Sequence, residues 1–276
     1  MSNAKYAGAI PLLIVLVGLL ILLLSLYPEQ NLPRNLVFEL PAPFSSAHSI
    51  FLSISALIVA YFFARSSVSK ASSNLIALGS ASLILGFGFL VSQILGNPPF
   101  GGPNQLVGIS SLVFLFSGLF YGAFSTLSLF GKTISPGNPK LTLLAAYVVG
   151  VALVVVVILS IETNLLPDFF VPGKGPTLLR QTALGAAVVL FSYSAVVLMR
   201  SYRQRKITVL FWFSLGLAAN AIGYLSALFG KVPGGPFSWL GRISLILGGI
   251  YFGASILAAY EKTDDRTGKS REPAES

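Results

Sequence analysis

Long apolar runs alternate with short polar segments along the whole chain. A helix needs about 20 apolar residues to cross a bilayer core of about 30 Å. Eight runs reach or approach that length: about 7–27, 46–64, 74–95, 105–130, 141–161, 181–199, 207–229 and 243–260. None contains Asp, Glu, Lys or Arg, and each is bounded by Pro, Gly, Asn or charged residues. The pattern predicts an all-α polytopic membrane protein with eight transmembrane helices.

The predicted spans divide the chain into one membrane domain and a tail. Residues 1–260 hold all eight runs and form a single transmembrane domain. The first run is longer than the roughly 7–15 apolar residues of a signal peptide, and no A-x-A site follows it, so we expect a retained helix. The segment EKTDDRTGKSREPAES (261–276) is polar and contains proline. We expect it to be a disordered cytoplasmic tail.

The overall composition agrees with a membrane protein. Of the 276 residues, 54% are hydrophobic and 10% are charged. Soluble domains carry about 25% charged residues. The lipid bilayer is therefore the first partner that we expect.

Basic residues are divided unevenly between the two sides that eight spans define. Thirteen of the 18 Lys and Arg fall on the side of the two chain ends. The positive-inside rule then predicts a multi-pass cell-membrane protein with cytoplasmic N- and C-termini. We expect the loop RSYRQRK (200–206) to set this topology and to meet anionic lipid. Because the basic residues are spread over short loops, the net charge of +9 does not indicate nucleic acid.

Two turn segments in different halves of the chain resemble each other. QILGNPPFGGPNQLVGIS (93–110) aligns without a gap on ALFGKVPGGPFSWLGRIS (227–244), at an offset of 134 residues. Four predicted spans separate the two segments, so both halves would have the same orientation. This favours a 4+4 parallel internal repeat. The alternative is that apolar helices resemble one another by composition alone.

The chain lacks the residues that most catalytic and metal sites need. Cysteine is absent and His48 is the single histidine, so thiolate and two-histidine sites are excluded. No P-loop, H-E-x-x-H or G-x-S-x-G motif is present. Away from their ends the spans carry no ionisable residue, so a proton route through buried carboxylates is not expected. We expect neither an enzyme nor a cofactor.

Candidate binding residues gather at the predicted outer ends of the spans. His48 opens the second span, Arg180 precedes the sixth, and Arg242 precedes the eighth, just behind Trp239. If these spans are neighbours, two arginines beside a tryptophan could hold a carboxylate or phosphate. One alternative is that Trp239 anchors the interface while the arginines reach lipid headgroups. Another is that an outer-loop acid such as Asp168 neutralises an arginine.

Small and amide residues inside the spans are candidates for packing or for binding. Asn220 lies mid-span in LAANAIGY, where it suits a helix–helix hydrogen bond or, alternatively, a ligand contact. Gly118-x-x-x-Gly122 and Gly249-x-x-x-Gly253 are spacings that let helices approach closely. The close approach could occur within one chain or in a homodimer, and the sequence leaves both open.

Three stretches of the chain resemble a known family. They are AHSIFLSISALIVAYFFARSS (47–67), LLPDFFVPGKGPTLLRQTALGAAVVLF (165–191) and the final hairpin (211–260), with its Trp-Leu-Gly-Arg and Gly-Gly-Ile-Tyr-Phe sequences. Over about residues 35–260 the chain is similar to the eight-helix membrane-associated sensor domains (MASE-type) of archaea and bacteria. Those domains precede PAS domains and histidine kinases, or diguanylate cyclases. The resemblance implies a sensor domain in signal transduction of the two-component kind. Because no output domain follows, we expect a cytoplasmic kinase or other transmitter to act in trans.

These observations lead to one expected function and two alternatives. The expectation is an integral membrane sensor or signalling subunit that perceives an extracytoplasmic or membrane-borne stimulus and relays it through helix rearrangement. One alternative is a transporter or channel for a small neutral or anionic solute, and the other is an accessory subunit of a membrane complex. A parallel repeat suits a transporter, whereas spans without charges suit it less.

Overall fold

The structure, a computed structural model, describes residues 2–25, 37–38, 47–70, 73–97, 99–129, 137–171, 174–230, 232 and 234–268, without the side chains of 2–6, 70, 73 and 261–268. Its helices are α1 (Ser2–Leu24), α2 (Ala47–Lys70), α3 (Ser73–Leu95), α4 (Pro103–Leu129), α5 (Pro139–Glu162), α6 (Leu178–Arg205), α7 (Thr208–Phe229) and α8 (Pro236–Gly268). Strands β1 (Phe170–Val171) and β2 (Gly175–Pro176) form an antiparallel hairpin. All eight described helices are long and apolar enough to cross a membrane, so the predicted all-α polytopic fold is confirmed.

Helices α6 and α8 begin earlier than the apolar runs suggested. Helix α6 begins at Leu178 and α8 at Pro236, so Arg180 and Arg242 lie inside the first two turns instead of before them. Proline suits the start of a helix because its φ angle is already helical and the first N–H groups have no partner within the helix. The hydropathy of the runs marks the membrane core, and the helices extend beyond that core.

Helix α8 also ends later than predicted. It continues to Gly268, so residues 261–268 of the predicted disordered tail are helical. No glycine or proline lies between Gly253 and Gly268 to stop the helix, and glycine is the residue at which helices commonly end. Residues 269–276 of the predicted tail lie outside the described residues.

Six helices pack in a closed ring. The order is α2, α3, α4, α6, α7 and α8, and α8 packs back against α2. Helix α5 lies outside the ring against α3 and α4, and α1 lies outside it against α7 and α8. Exchanging α1–α4 for α5–α8 reproduces each of these contacts, whereas a further contact of α5 with α2 is not matched to the same extent between α1 and α6. The packing order is therefore the one that a 4+4 parallel repeat predicts.

The two similar turn segments also share their local geometry. Helices α3 and α7 each end one residue before a glycine of the repeat. The Gly96 N–H donates to the Ser92 carbonyl oxygen at 2.9 Å, and the Gly230 N–H donates to the Ser226 carbonyl oxygen at 2.8 Å. Both bonds satisfy a carbonyl in the last turn of a helix. The similarity of the two segments thus extends to their backbone hydrogen bonds.

Aromatic side chains fill the centre of the ring. The rings of Phe114 and Tyr224 stack with centroids 4.0 Å apart, and Phe191 meets Tyr224 edge-on at 5.0 Å. The other members of this aromatic column are Phe89, Tyr121, Phe213, Phe63 and Phe252. All of these side chains are buried. Such aromatic pairs contribute about 0.5–1.5 kcal/mol beyond the burial of their area.

Three of the four glycines in the small-residue spacings serve packing within the chain. A Cβ atom on Gly118 or Gly122 of α4 would lie 3.2 Å from a side chain of α6. A Cβ atom on Gly249 of α8 would lie 2.7 Å from a side chain of α2. These two helix contacts are equivalent in the repeat. Gly253 has no atom of the described residues within 4 Å of such a Cβ.

Candidate functional site

A cavity of about 450 Å³ lies at one end of the ring, which we call the cavity end. The N-termini of α2, α4, α6 and α8 and the C-termini of α3 and α7 surround it. Its polar lining includes His48, Gln93, Asn97, Arg180, Tyr224 and Arg242. Small-molecule sites have volumes of about 300–1,000 Å³, so the cavity is of suitable size.

The cavity lies between the two halves of the chain. Three pairs of its lining residues are separated by the offset of the repeat: Phe89 and Gly223, Gln93 and Ala227, and Val107 and Gly241. Equivalent positions of both halves therefore face the same space. Transporters built from repeats place their substrate sites at such a junction.

Arg180 lines the cavity from α6 and is tied to α7. Its Nη2 donates a hydrogen bond to the Ala227 carbonyl oxygen at 2.9 Å. Ala227 is in the last turn of α7, where carbonyl oxygens lack partners within their own helix. A guanidinium has five N–H donors, so this bond positions the side chain and leaves donors for a ligand. The structure thus places Arg180 inside the ring.

Arg242 lines the cavity from α8 and lies against Trp239. Its guanidinium carbon is 5.1 Å from the centroid of the Trp239 ring, which is a cation–π contact between residues three apart on one helix. The Trp239 Nε1 donates to the Phe38 carbonyl oxygen at 2.8 Å, and the two rings stack with centroids 6.2 Å apart. Trp239 is not among the residues that line the cavity. Trp239 is held by Phe38 and in turn positions the Arg242 guanidinium through the cation–π contact.

Further polar lining comes from α2, from the end of α3 and from α7. His48 is in the first turn of α2, with its Nε2 atom 3.0 Å from Ser49 Oγ. Two residues after α3 ends, the Asn97 side-chain amide donates to the carbonyl oxygen of Gln93, in the last turn of that helix, at 2.6 Å. Tyr224 of α7 belongs both to the cavity lining and to the aromatic column. The aromatic column therefore forms the floor of the cavity, toward the centre of the ring of helices.

The charge of the cavity favours an anion. Arg180 and Arg242 line it, and its described lining contains no Asp or Glu. The N-termini of four helices and the C-termini of α3 and α7 meet at this end, so their opposite partial charges largely offset and the two arginines carry the positive charge. Apolar side chains such as Phe89, Phe114 and Leu245 complete the wall. The arrangement suits a carboxylate or phosphate that carries an apolar group.

The β1–β2 hairpin covers the cavity next to α4. Phe170 and Pro176 of the hairpin line the cavity. The Asn104 Oδ1 accepts hydrogen bonds from the Phe169 N–H at 2.8 Å and the Phe170 N–H at 3.1 Å. The Asn104 Nδ2 donates to Asp168 Oδ1 at 2.7 Å. A single side chain at the start of α4 thus holds the hairpin in place.

Two more predicted binding residues lie away from the cavity. Asp168 is exposed, and its carboxylate accepts the bond from Asn104. Asn220 is fully buried, donates to the Gly216 carbonyl oxygen of its own helix at 2.8 Å, and accepts from the Tyr224 hydroxyl at 3.2 Å. Neither lines the cavity. Asp168 holds the hairpin, and Asn220 holds the tyrosine that faces the cavity.

The prediction from sequence did not name several residues of the site. Gln93 is a polar residue near the end of the third apolar run and Asn97 follows that run, so their position at a span end was a signal that could have found them. Tyr224 and Phe170 carry no such signal, because an aromatic residue in an apolar segment is ordinary core sequence. Their place at the cavity follows only from the packing of the helices.

Comparison with known proteins adds no relative. No protein-family model, curated protein or solved structure shows a significant match to the chain. The fold and the cavity alone define the class of the protein, which is a polytopic all-α membrane protein with a positively charged cavity at one end. The resemblance to membrane-associated sensor domains stays a prediction.

Proposed function

We propose that the chain is an integral membrane sensor or signalling subunit whose stimulus is a small organic anion bound in the cavity. The observation that carries the proposal is the placement of Arg180 and Arg242 on one cavity of about 450 Å³ with no acid in its described lining. Two guanidinium groups recognise a carboxylate by charge-assisted, bidentate hydrogen bonds. The apolar wall favours a carboxylate that also carries a short hydrocarbon or aromatic group.

Helix α8 supports a relay between the cavity and the opposite end of the bundle. Arg242 is in its second turn, and the helix continues to Gly268, eight residues past Tyr260, where the stretch apolar enough to span a membrane ends. A ligand that binds better to one packing of α8 against α2 and α7 shifts the population toward that packing. The far end of α8 would then move, and a partner such as a cytoplasmic kinase would read that movement.

The basic residues support one orientation for this relay. Arg65, Lys140 and Arg200 lie at the end of the bundle opposite the cavity, together with the other basic residues of 200–206. This segment was predicted as a loop, but α6 continues to Arg205 and Lys206 caps it. The positive-inside rule assigns that end to the cytoplasm. Both termini would then be cytoplasmic, and the cavity would open to the outside.

Thermal unfolding of the purified full-length chain tests the proposal. We expect at least one of acetate, butyrate, benzoate and succinate to raise the melting temperature, because a ligand that binds the folded state stabilises it. Arg180→Gln and Arg242→Gln should fold and lose most of this rise, since each removes one of the two charges. Arg180→Lys keeps the charge but not the fork geometry, so its response should be intermediate.

Lys174→Gln is the matched control, because Lys174 is a basic residue of the β1–β2 turn that does not line the cavity. It removes the same charge at the same end, and the carboxylate response should persist. The proposal would be contradicted if none of the four carboxylates raised the melting temperature of the parent protein. It would also be contradicted if both arginine variants showed the same rise as the parent.

Solute transport is the second candidate, and the position of the cavity between two parallel repeats favours it. The aromatic column opposes it, because buried rings fill the ring of helices beneath the cavity. Proteoliposomes distinguish the two functions with the carboxylate that raises the melting temperature. Uptake above that of empty liposomes, lost in Arg242→Gln, would indicate transport. Binding without uptake would indicate a receptor.

A further inference from the structure

A second cavity lies at the other end of the bundle, in a groove between α1, α6 and α7. Its volume is about 620 Å³. Leu12 of α1, Val196 and Met199 of α6, and Leu215 and Ala218 of α7 give it an apolar wall. The groove exists because α1 packs against α7 and α8, which leaves space between α1 and α6. In a membrane, such a space on the outside of the ring is open to lipid.

Two arginines stand at the end of this groove. Arg200 and Arg203 line it, both are exposed, and they are three residues apart near the end of α6. Residues at this spacing lie on the same face of a helix. The described lining of the groove contains no acid. Positive charge therefore lies at one end of the groove and apolar surface along the rest.

The dimensions of the groove match one leaflet of a bilayer. From Arg203 to Ala195, α6 rises about 12 Å at 1.5 Å per residue. Half of a hydrocarbon core of about 30 Å is about 15 Å. With Arg203 at the membrane–water boundary, the groove lining extends about 12 Å into the leaflet, and its apolar part beyond Arg200 extends about 7.5 Å. The upper part of an acyl chain fits this length, and a phosphate at its head would meet the two guanidinium groups.

We propose that this groove binds an anionic phospholipid, with the phosphate on Arg200 and Arg203 and one acyl chain along α6 and α7. Charge complementarity selects the occupant: a zwitterionic lipid offers the same chains and phosphate but also a cation that two arginines repel. Each Lys or Arg near the surface strengthens binding to anionic lipid about fivefold. This site is independent of the cavity at the other end of the ring, and it holds whether or not that cavity binds a carboxylate.

Lipid retention by the purified full-length chain tests the site. Native mass spectrometry would compare phosphatidylglycerol with phosphatidylcholine of the same acyl chains. The parent should retain phosphatidylglycerol in preference. Arg200→Gln with Arg203→Gln should lower its affinity for phosphatidylglycerol about fivefold for each charge removed. Arg65→Gln, which removes a basic residue of the same end on α2, should leave retention unchanged.

A second pair of variants tests the apolar wall without disturbing the core. Val196 and Val189 are both exposed on α6, at 68% and 66%, but only Val196 is among the groove residues. Val196→Trp should fill the groove and reduce phosphatidylglycerol retention, whereas Val189→Trp should not. Free glycerol phosphate should not displace the lipid, because it lacks the acyl chain.

Three results on lipid retention would overturn the assignment. They are equal retention of both lipids by the parent, full retention by the double arginine variant, and full retention by Val196→Trp. Displacement by free glycerol phosphate would show a phosphate site without an acyl groove, and would overturn it as well.

Discussion

Asn220 of α7 and Gly248 of α8 are in contact, and the space between them is too small for an additional carbon atom. An ideal Cβ on Gly248 would lie 2.6 Å from Asn220 Nδ2. The Asn220 side chain is held in place by its bonds to the Gly216 carbonyl oxygen and the Tyr224 hydroxyl. Glycine at position 248 is therefore required by the close approach of the two helices.

Gly248→Ala should lower the free energy of unfolding by about 1–3 kcal/mol, which is the usual cost of an overpacked core. Reversible unfolding in detergent micelles measures this change. Gly253→Ala on the same helix is the control, because no described atom lies within 4 Å of its added Cβ. That variant should be neutral or slightly stabilising, since glycine inside a helix costs about 0.5–1 kcal/mol relative to alanine. Equal destabilisation by both changes would contradict the contact.

The double variant Asn220→Ala with Gly248→Ala tests whether the two residues act on each other. Removing the amide leaves room for the new methyl group, so the double change should cost less than the two single changes added together. Residues in contact commonly show coupling of about 0.5–3 kcal/mol. Strict additivity in the same unfolding assay would contradict the proposed clash.

At the scale of elements, the β1–β2 hairpin depends on α4 for its position. Each strand has two residues, which is too short for a hairpin to be stable by itself in water. Asn104 supplies three hydrogen bonds from the start of α4, and Phe169 adds a fully buried side chain against Gly108. Asn104 and Phe169 together attach the hairpin where it covers the cavity.

Asn104→Asp should release the hairpin. The change replaces the amide that donates to Asp168 by a second carboxylate, and the two negative charges repel each other. Amide hydrogen exchange at Phe169 and Phe170 should become faster, since each lost hydrogen bond is worth about 1 kcal/mol. Asp168→Asn alone retains an oxygen acceptor and should change exchange little.

Combining Asn104→Asp with Asp168→Asn exchanges the amide and the carboxylate. Position 168 then supplies the amide donor and position 104 supplies the oxygen acceptors, so slow amide hydrogen exchange at Phe169 and Phe170 should return. A double variant that exchanges as fast as Asn104→Asp alone would show that this side-chain pair does not hold the hairpin.

At the scale of the whole molecule, the ring of helices separates two ends of different charge. The cavity end has Lys174, Arg180 and Arg242 among its described basic residues, while the opposite end has the larger cluster around residues 200–206. The positive-inside rule therefore predicts that the cavity faces the outside, as we propose. The aromatic column lies between the two ends, and its buried side chains block a straight passage through the ring of helices.

Single cysteines would test this orientation, and the chain supplies a cysteine-free background. Leu165 is 76% exposed just after α5, at the cavity end, and Gln204 is exposed near the end of α6. In intact cells a membrane-impermeant maleimide should label Leu165→Cys at once, and Gln204→Cys only after permeabilisation. The reverse pattern would place the cavity in the cytoplasm.

Much of the fold was predictable because its signals are local. A helix that crosses lipid must satisfy its own backbone and be apolar over a fixed length, so the eight spans are visible in the sequence. The start of α8 was not, because Trp239 and Arg242 interrupt the hydropathy while remaining helical. His48, Arg180 and Arg242 were recognisable as candidates from their positions at span ends. Trp239 was named with them, and it contacts Arg242 instead of the cavity.

The sequence by itself determined the number of spans, the uneven charge of the two ends and the likeness of the two halves. Each of these depends on residues that are near one another in the chain or on composition. Tertiary structure alone decided that α4 packs against α6 and that α8 closes on α2, which gathers residues from six helices around one cavity. It also decided that Asp168 bonds to Asn104 and that Asn220 is buried. Lipid-embedded helices of similar hydropathy are interchangeable by pattern, and only the fit of their side chains selects each neighbour.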